Sequence, residues 1–206
     1  VEGADPNRDD YGLVRIKLLA EPKAVPGLRL LTTYTHVDSQ MPQVEGVRAP
    51  FEARQDPVGG YGVFSNDVDS LTSVLDYRMS PALDSTTTLS FGDAWIERFA
   101  PPGLGQAQNH SRDFSAESVL RWVPDQPMRA LGGVHFLRSR LDQDINLSAV
   151  LGEGSFADEQ QSLGLFGELT FRPMSRLPVT AGIRYQRDSQ ERQGLLGTTA
   201  SGYPID

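Results

Sequence analysis

The stretch of sequence that decides the fold is residues 163–187, LGLFGELTFRPMSRLPVTAGIRYQR. Leu163, Leu165 and Leu169 fall on alternate positions, and a second alternation begins after the Pro-containing segment 173–178. Because successive side chains of a strand point to opposite faces, each half has one face nearly free of charge and one polar face. The stretch therefore predicts a β-hairpin whose two strands are each apolar on one side.

Similar alternating segments recur along the chain and pair into hairpins joined by short connections. Long polar segments separate one hairpin from the next and are expected to be loops: 38–66, 99–113 and 141–158. The predicted strands are residues 12–20, 28–37, 67–78, 86–97, 114–123, 128–139, 160–172 and 178–187. The predicted fold is all-β, an antiparallel up-and-down meander of about eight strands.

The rhythm of the connections is typical of a transmembrane β-barrel, which has short turns at one end and longer loops at the other. The predicted strands, at about 9–12 residues, match the length that a tilted strand needs to cross a bilayer. Tyr77, Trp122 and Phe171 each precede a short connection and share the parity of their strand's apolar residues. These three residues are predicted to form an interfacial aromatic girdle.

A barrel wall has one face towards lipid and one towards a wet lumen. The side chains predicted to face lipid are Val14, Ile16, Leu18, Leu71, Leu75, Leu120, Leu163, Leu165, Leu169, Val179, Ala181 and Ile183. The opposite parity supplies the lumen-facing candidates for ligand binding, Arg15, Lys17, Glu168 and Arg184. We also expect Arg184 to meet Glu168 on the adjacent strand.

The composition excludes several classes of function. The 206 residues include 19 basic and 27 acidic residues, a net charge of −8, which argues against nucleic acid as a partner. The absence of cysteine excludes thiolate metal sites, disulfides and a Cys nucleophile. No apolar run approaches the roughly 18 residues of a spanning helix.

No catalytic, cofactor-binding or metal-binding set is predicted, and no enzyme activity is expected. His36, His110 and His135 lie far apart in sequence, and none has a second ligand at helical spacing. A ligand contact by His36 and Asp38 near a loop base is one interpretation, but a surface histidine is favoured. The segment 142–153 has the carboxylate spacing of a calcium loop but lacks its glycine and its flanking helices. The segment 152–157 fits G-x-G-x-x-A but lies between antiparallel strands rather than in a βαβ unit.

One hairpin also carries a family resemblance. Its residues are Ser162, Leu163, Phe166, Gly167, Glu168, Thr170 and Phe171, then Arg176 and Leu177, then Thr180, Ala181, Gly182, Ile183, Arg184 and Tyr185. This pattern resembles the barrel wall of TonB-dependent outer-membrane receptors, and the segment 118–136 resembles another family hairpin. The match covers about a quarter of the chain.

The resemblance implies that residues 1–206 form a partial barrel domain, an excerpt of a longer protein, without the plug domain of the family. It implies a bacterial outer-membrane location and contact with outer-membrane lipid. It further implies uptake of an iron–siderophore complex or a similar scarce nutrient, energised by the TonB complex acting through the plug.

The sequence is also compatible with two alternatives. A soluble all-β binding module would pack two apolar faces against each other as a sandwich. An enzyme built on a barrel wall, with Ser90 or His135 as a catalytic group, is the weaker alternative, because no supporting motif accompanies either residue.

Overall fold

In the computed structural model, the described residues are 10–42, 49–50, 52, 62–101, 103–125, 127–149, 151–174 and 176–197. They form one eight-stranded sheet in which each strand pairs antiparallel with its neighbours in chain order. The strands are β1 Asp10–Ala20, β2 Leu28–Pro42, β3 Val63–Ser80, β4 Leu83–Phe99, β5 Gln106–Trp122, β6 Met128–Leu147, β7 Gly152–Met174 and β8 Leu177–Leu196. The predicted up-and-down meander is confirmed.

Within these ranges no helix has the length and apolar character needed to cross a membrane. The described strands belong to a single sheet, so the two facing sheets of the predicted sandwich alternative are not found among them.

Most strands are longer than predicted, and the longest extensions lie at the end away from the short turns. Most of the predicted loop 99–113 is strand, because β5 already begins at Gln106. The predicted loop 141–158 is a tight hairpin, because β6 runs to Leu147 and β7 starts at Gly152. Of the predicted loop 38–66, the ends 38–42 and 63–66 are strand, and residues 43–48, 51 and 53–61 lie outside the described part.

The physical reason for these corrections is that backbone pairing needs no apolar side chains. The prediction ended each strand where the apolar alternation stopped, but the antiparallel hydrogen-bond ladder continues through Gln, Asn, Asp and Ser residues. The β5–β6 pairing, for example, extends from Trp122 and Ala130 to Gln106 and Asn146.

The register assigns every side chain to one of two faces, because directly opposed residues lie on the same side of a sheet. One face contains a row in which Ile16, Tyr34, Leu71, Phe91 and Phe114 oppose one another across five strands. We call this side the banded face. All twelve side chains predicted to face lipid share the parity of this face.

The opposite side, here called the inner face, is the crowded side of the sheet. Of the buried strand side chains, Ser39, Val119, Ser162 and Thr170 belong to it, with Thr170 only 2% exposed, whereas Val63 at the start of β3 is on the banded face. On the banded face of β7, the same strand as Thr170, Leu165 is by contrast 49% exposed. Crowding on one side and splaying on the other is the signature of a sheet that curves around its inner face.

Candidate functional site

An apolar band crosses the banded face at the half of the sheet nearest the short turns. On β5 it contains Phe114, Ala116, Ser118, Leu120 and Trp122, without a charge. The corresponding segments of the other strands are likewise free of charged side chains on this face, and they are 12–20, 28–34, 71–77, 83–91, 128–136, 163–171 and 177–185. A segment of about nine residues is the length of a tilted membrane-spanning strand.

Aromatic residues mark both edges of the apolar band. Tyr77, Trp122 and Phe171 lie at the edge nearest the short turns and on the banded face, as the girdle prediction requires. At the other edge, Phe91 and Phe114 oppose each other directly in the last apolar row. The sequence did not reveal the second aromatic edge, because Phe91 and Phe114 are brought together only by the register between β4 and β5.

Beyond that edge the banded face becomes charged. The next row, which we call the charged rim, runs across seven strands in unbroken register. Its members are His36, Asp69, Asp93, Arg112, Arg140, Glu159 and Glu191. The boundary lies one row nearer the short turns on β6 and β7, where Phe136 opposes Leu163 and Arg138 follows. Such a drift is expected where strands tilt relative to the plane of the boundary.

On β5–β7 the rim residues form an ion-pair network with two neighbouring side chains, Arg138 and Asp142, and Arg112 Nη2 lies 3.5 Å from Asp142. Arg138 Nη2 lies 2.8 Å from Glu159, and Arg140 Nε lies 3.0 Å from Asp142. The hydrogen bond from Arg140 lowers the pKa of Asp142 below its ordinary value. Hydrogen bonds from Gln161 and Arg138 likewise lower the pKa of Glu159. Asp142 opens the predicted loop with calcium-like spacing, but here it lies on a strand and pairs with arginine.

The part of the rim on β2–β3 brings together a histidine and two carboxylates. His36 Nδ1 lies 3.1 Å from Asp69 Oδ1 and 3.7 Å from Asp67 Oδ1. The Tyr34 hydroxyl donates a 2.5 Å hydrogen bond to Asp69 Oδ1. These hydrogen bonds, first that of Tyr34 and then that of His36, lower the pKa of Asp69. This cluster was not predicted from the sequence, since it depends on the β2–β3 register.

A tryptophan and a second histidine continue the rim onto β4 and β5. The rings of Trp95 and His110 are stacked, with centroids 3.9 Å apart and planes inclined by 14°. His110 Nε2 lies 3.1 Å from Asp93 Oδ1.

The four predicted ligand-binding side chains all lie on the inner face, but the sheet does not bring them together. Arg15 and Lys17 are on β1, at one end of the strand order, whereas Glu168 and Arg184 are on β7 and β8 at the other end. Arg15 Nε donates to Thr35 Oγ1 at 3.3 Å.

The predicted ion pair between Arg184 and Glu168 is wrong. The register places Arg184 opposite Phe166, and Glu168 opposite Gly182, so the two charges are diagonal rather than facing. Arg184 Nη2 instead donates to Gln186 Oε1 on its own strand at 2.6 Å.

A polar chain that the sequence did not predict lies on the inner face near the short turns. Arg121 Nη1 donates to Thr86 Oγ1 at 3.0 Å, and Thr86 Oγ1 donates to Asp76 Oδ1 at 2.9 Å. Arg29 Nη1 donates to the other oxygen of Asp76 at 3.3 Å. These contacts tie four strands together and fix two arginines on the surface that the sheet curves around.

The antiparallel meander, the charge-free band with its aromatic edges and the polar inner face are the features expected of the wall of a transmembrane β-barrel. No protein-family model matches the sequence. The fold is similar to the crystal structure of the ferric yersiniabactin uptake receptor FyuA from Yersinia pestis, with a TM-score of 0.75 and 14% identity. The similarity covers 95% of this chain and 32% of the FyuA chain, so this chain spans about a third of that receptor. At this identity the likeness is one of fold.

Proposed function

We propose that this chain is part of the barrel wall of an outer-membrane receptor that takes up an iron–siderophore complex or a similar scarce nutrient, energised through TonB. The observation that carries the proposal is the charge-free band, which occupies about nine residues on one face of adjacent strands. A band of this height and its aromatic edges fit the hydrocarbon core of a bilayer. The fold shared with an iron-chelate uptake receptor supports the receptor assignment.

In this proposal the wall has one orientation relative to the outer membrane. The short turns face the periplasm, the band contacts outer-membrane lipid, and the charged rim with the strand extensions projects outside the cell, since outer-membrane barrels have short periplasmic turns. The inner face lines the lumen, where a plug domain of the parent protein would lie. Residues 1–206 are then one portion of a larger barrel domain.

The lumen-facing charges are the proposed ligand contacts. Arg15 and Lys17 place two cations on neighbouring inner-face positions of β1, a combination suited to an anionic ferric chelate. Arg184 and Glu168 line the same lumen from β8 and β7, and a closed barrel would bring the two ends of this sheet nearer to a common ligand.

The experiment is an uptake assay on the full-length protein that carries this chain. Cells with and without its gene are supplied with ⁵⁵Fe-loaded siderophores, and the assay is repeated in cells lacking TonB. We expect uptake to require both the gene and TonB, with the protein in the outer-membrane fraction. Uptake that is unchanged by deletion of the gene for every ferric chelate tested contradicts the iron proposal, and recovery from the soluble fraction contradicts the membrane assignment.

A pair of variants tests the ligand contacts. Replacing Arg15 and Lys17 together by Ala is expected to weaken ligand binding, because both cations face the lumen. The matched control is Arg138→Ala, which removes a cation from the outward-facing side and should leave binding unchanged. Equal losses of ligand binding in the two variants would contradict the proposal that the inner-face cations contact the ligand.

A further inference from the structure

The cluster formed by His36, Asp67 and Asp69 has the geometry of a metal-ligand set. The ligand atoms of the three residues, one from each, lie within 4.8 Å of one another. All three side chains are partly exposed, at 34% for His36, 55% for Asp67 and 44% for Asp69, so an ion reaches them from solvent. They lie on the banded face, immediately outside the aromatic edge of the apolar band.

The two separations that involve His36 are close to those of a tetrahedral zinc site. With Zn–N and Zn–O bonds of about 2.0–2.2 Å, neighbouring ligand atoms of a tetrahedron lie about 3.3–3.5 Å apart. The two measured separations from His36 Nδ1, 3.1 Å to Asp69 and 3.7 Å to Asp67, lie on either side of this value. Small side-chain rotations at an exposed site are enough to equalise them.

The surroundings of the cluster favour a bound cation. The register places Asp67 opposite Asp38 and Asp69 opposite Asp93, and like charges directly opposed across strands are destabilising. Asp93 has two partners that offset this repulsion. His110 lies 3.1 Å away, and Arg112 opposes Asp93 on the next strand. A dication between Asp67 and Asp69 would relieve both of these carboxylates at once.

Tyr34 supplies the outer hydrogen bond that metal sites commonly use to orient a ligand. Its hydroxyl holds Asp69 Oδ1, the same oxygen that faces His36. Partners of this kind fix the direction of the carboxylate and support metal affinity.

We propose that His36, Asp67 and Asp69 bind one Zn²⁺ ion on the outward face of the wall, with water in the fourth position. The imidazole nitrogen selects a borderline transition metal over Ca²⁺ and Mg²⁺, which prefer all-oxygen ligands. The ion joins β2 to β3 where these strands leave the apolar band. This site lies on the face opposite to the proposed ligand contacts, so it does not depend on the proposed transport function.

The test is a titration of Zn²⁺ alone into the untagged full-length protein carrying this chain, folded in detergent, by isothermal titration calorimetry. We expect one Zn²⁺ per chain. His36→Ala and Asp69→Asn should each weaken binding by at least about tenfold. The matched control is His110→Ala, which removes the histidine of the neighbouring His–Asp pair, and there the affinity should be unchanged. Folding of each variant is checked by circular dichroism.

Co²⁺ provides a second readout that a purely structural defect would not mimic. The wild type and the His110→Ala variant should give the visible absorption of tetrahedral Co²⁺, and the His36→Ala variant should lose it. Absence of saturable Zn²⁺ binding, affinity unchanged in His36→Ala and Asp69→Asn, or an equal loss in His110→Ala would each overturn the site.

Discussion

The apolar band and the charged rim are built on the same strands, on the same face and in the same continuous register, yet their chemistry is opposite. On β4, Phe91 belongs to the last row of the band and Asp93, two residues further, belongs to the rim. On β5 the same step leads from Phe114 to Arg112. The backbone ladder continues across the boundary without interruption. Backbone pairing is therefore the same in both regions, and the difference in side-chain chemistry is that expected when one region contacts lipid and the other contacts water.

The largest test of this contrast places a charge at two points of one strand. Leu165→Arg lies inside the band and should destabilise the membrane-folded protein by about 2–4 kcal/mol, the cost of a cation at mid-bilayer. The measurement is chemical unfolding in lipid vesicles of the full-length protein that carries this chain. The control is Gln161→Arg on the same face of β7, an exposed position beyond the band, where we expect almost no change. An equal loss of stability at both positions would contradict a boundary of the bilayer between residues 161 and 165.

The two faces of the sheet also differ in the space that they leave for a side chain. Two adjacent glycines, Gly132 and Gly133, test this difference. Gly133 is on the inner face, where a Cβ atom would collide with the Phe166 ring and lie 2.7 Å from the Ser118 carbonyl oxygen. Gly133→Ala should therefore cost about 1–3 kcal/mol, as overpacking does. Gly132 is in the band, where an added Cβ atom meets only the Phe166 carbonyl oxygen, at 3.6 Å.

Gly132→Ala is the matched control for that variant, and we expect it to be neutral or slightly stabilising, because its methyl group enters lipid and stiffens the unfolded chain. Both variants are measured by the same unfolding experiment as the Leu165→Arg variant. A larger loss for Gly132→Ala than for Gly133→Ala would reverse the assignment of the two faces.

The sequence predicted the band well because the band depends only on the alternation of residues within each strand. Leu163, Leu165 and Leu169 alternate within one strand, and their parity alone places them on one face. The prediction failed where both faces are polar, as in β5 from Gln106 onwards, because no periodicity distinguishes such a strand from a loop. The cluster of His36, Asp67 and Asp69 was beyond reach, since it depends on the register that opposes Asp38 to Asp67 across a long connection.

The two tryptophans of the chain offer a spectroscopic test, because one lies in each region. Trp122 is at the band edge nearest the short turns, whereas Trp95 is in the charged part of β4 and 40% exposed. The full-length protein is reduced to a single tryptophan, Trp95 or Trp122, by replacing every other tryptophan with Phe. Brominated lipids should then quench Trp122 and spare Trp95. Aqueous acrylamide should quench Trp95 more strongly. The reverse pattern would place the bilayer at the wrong end of the sheet.

The smallest effect concerns acid, which should loosen the rim and leave the band intact. In the folded protein the pKa of Asp142 lies below its ordinary value of 3.8, chiefly because of Arg140, and that of Glu159 lies below 4.5. A carboxylate with a lowered pKa contributes stability that is fully present above the ordinary value and is lost as the pH falls through the folded value. The backbone amides of the rim on β6 and β7 should therefore stay protected from hydrogen exchange from pH 7 down to about pH 4.

Hydrogen exchange, corrected for the intrinsic rate at each pH, measures this for rim and band peptides of the same strands. Arg140→Met removes the main cause of the lowered pKa of Asp142, so its rim should begin to open at a higher pH than that of the wild type. Peptides from the band segment 163–171 should show the same protection in both proteins at every pH, because that segment has no titrating group on the banded face. A wild-type rim that opens between pH 5 and 7 would mean that its ion pairs do not hold the strand extensions. Band peptides that open together with the rim would mean that the two regions are one cooperative unit, despite their opposite chemistry.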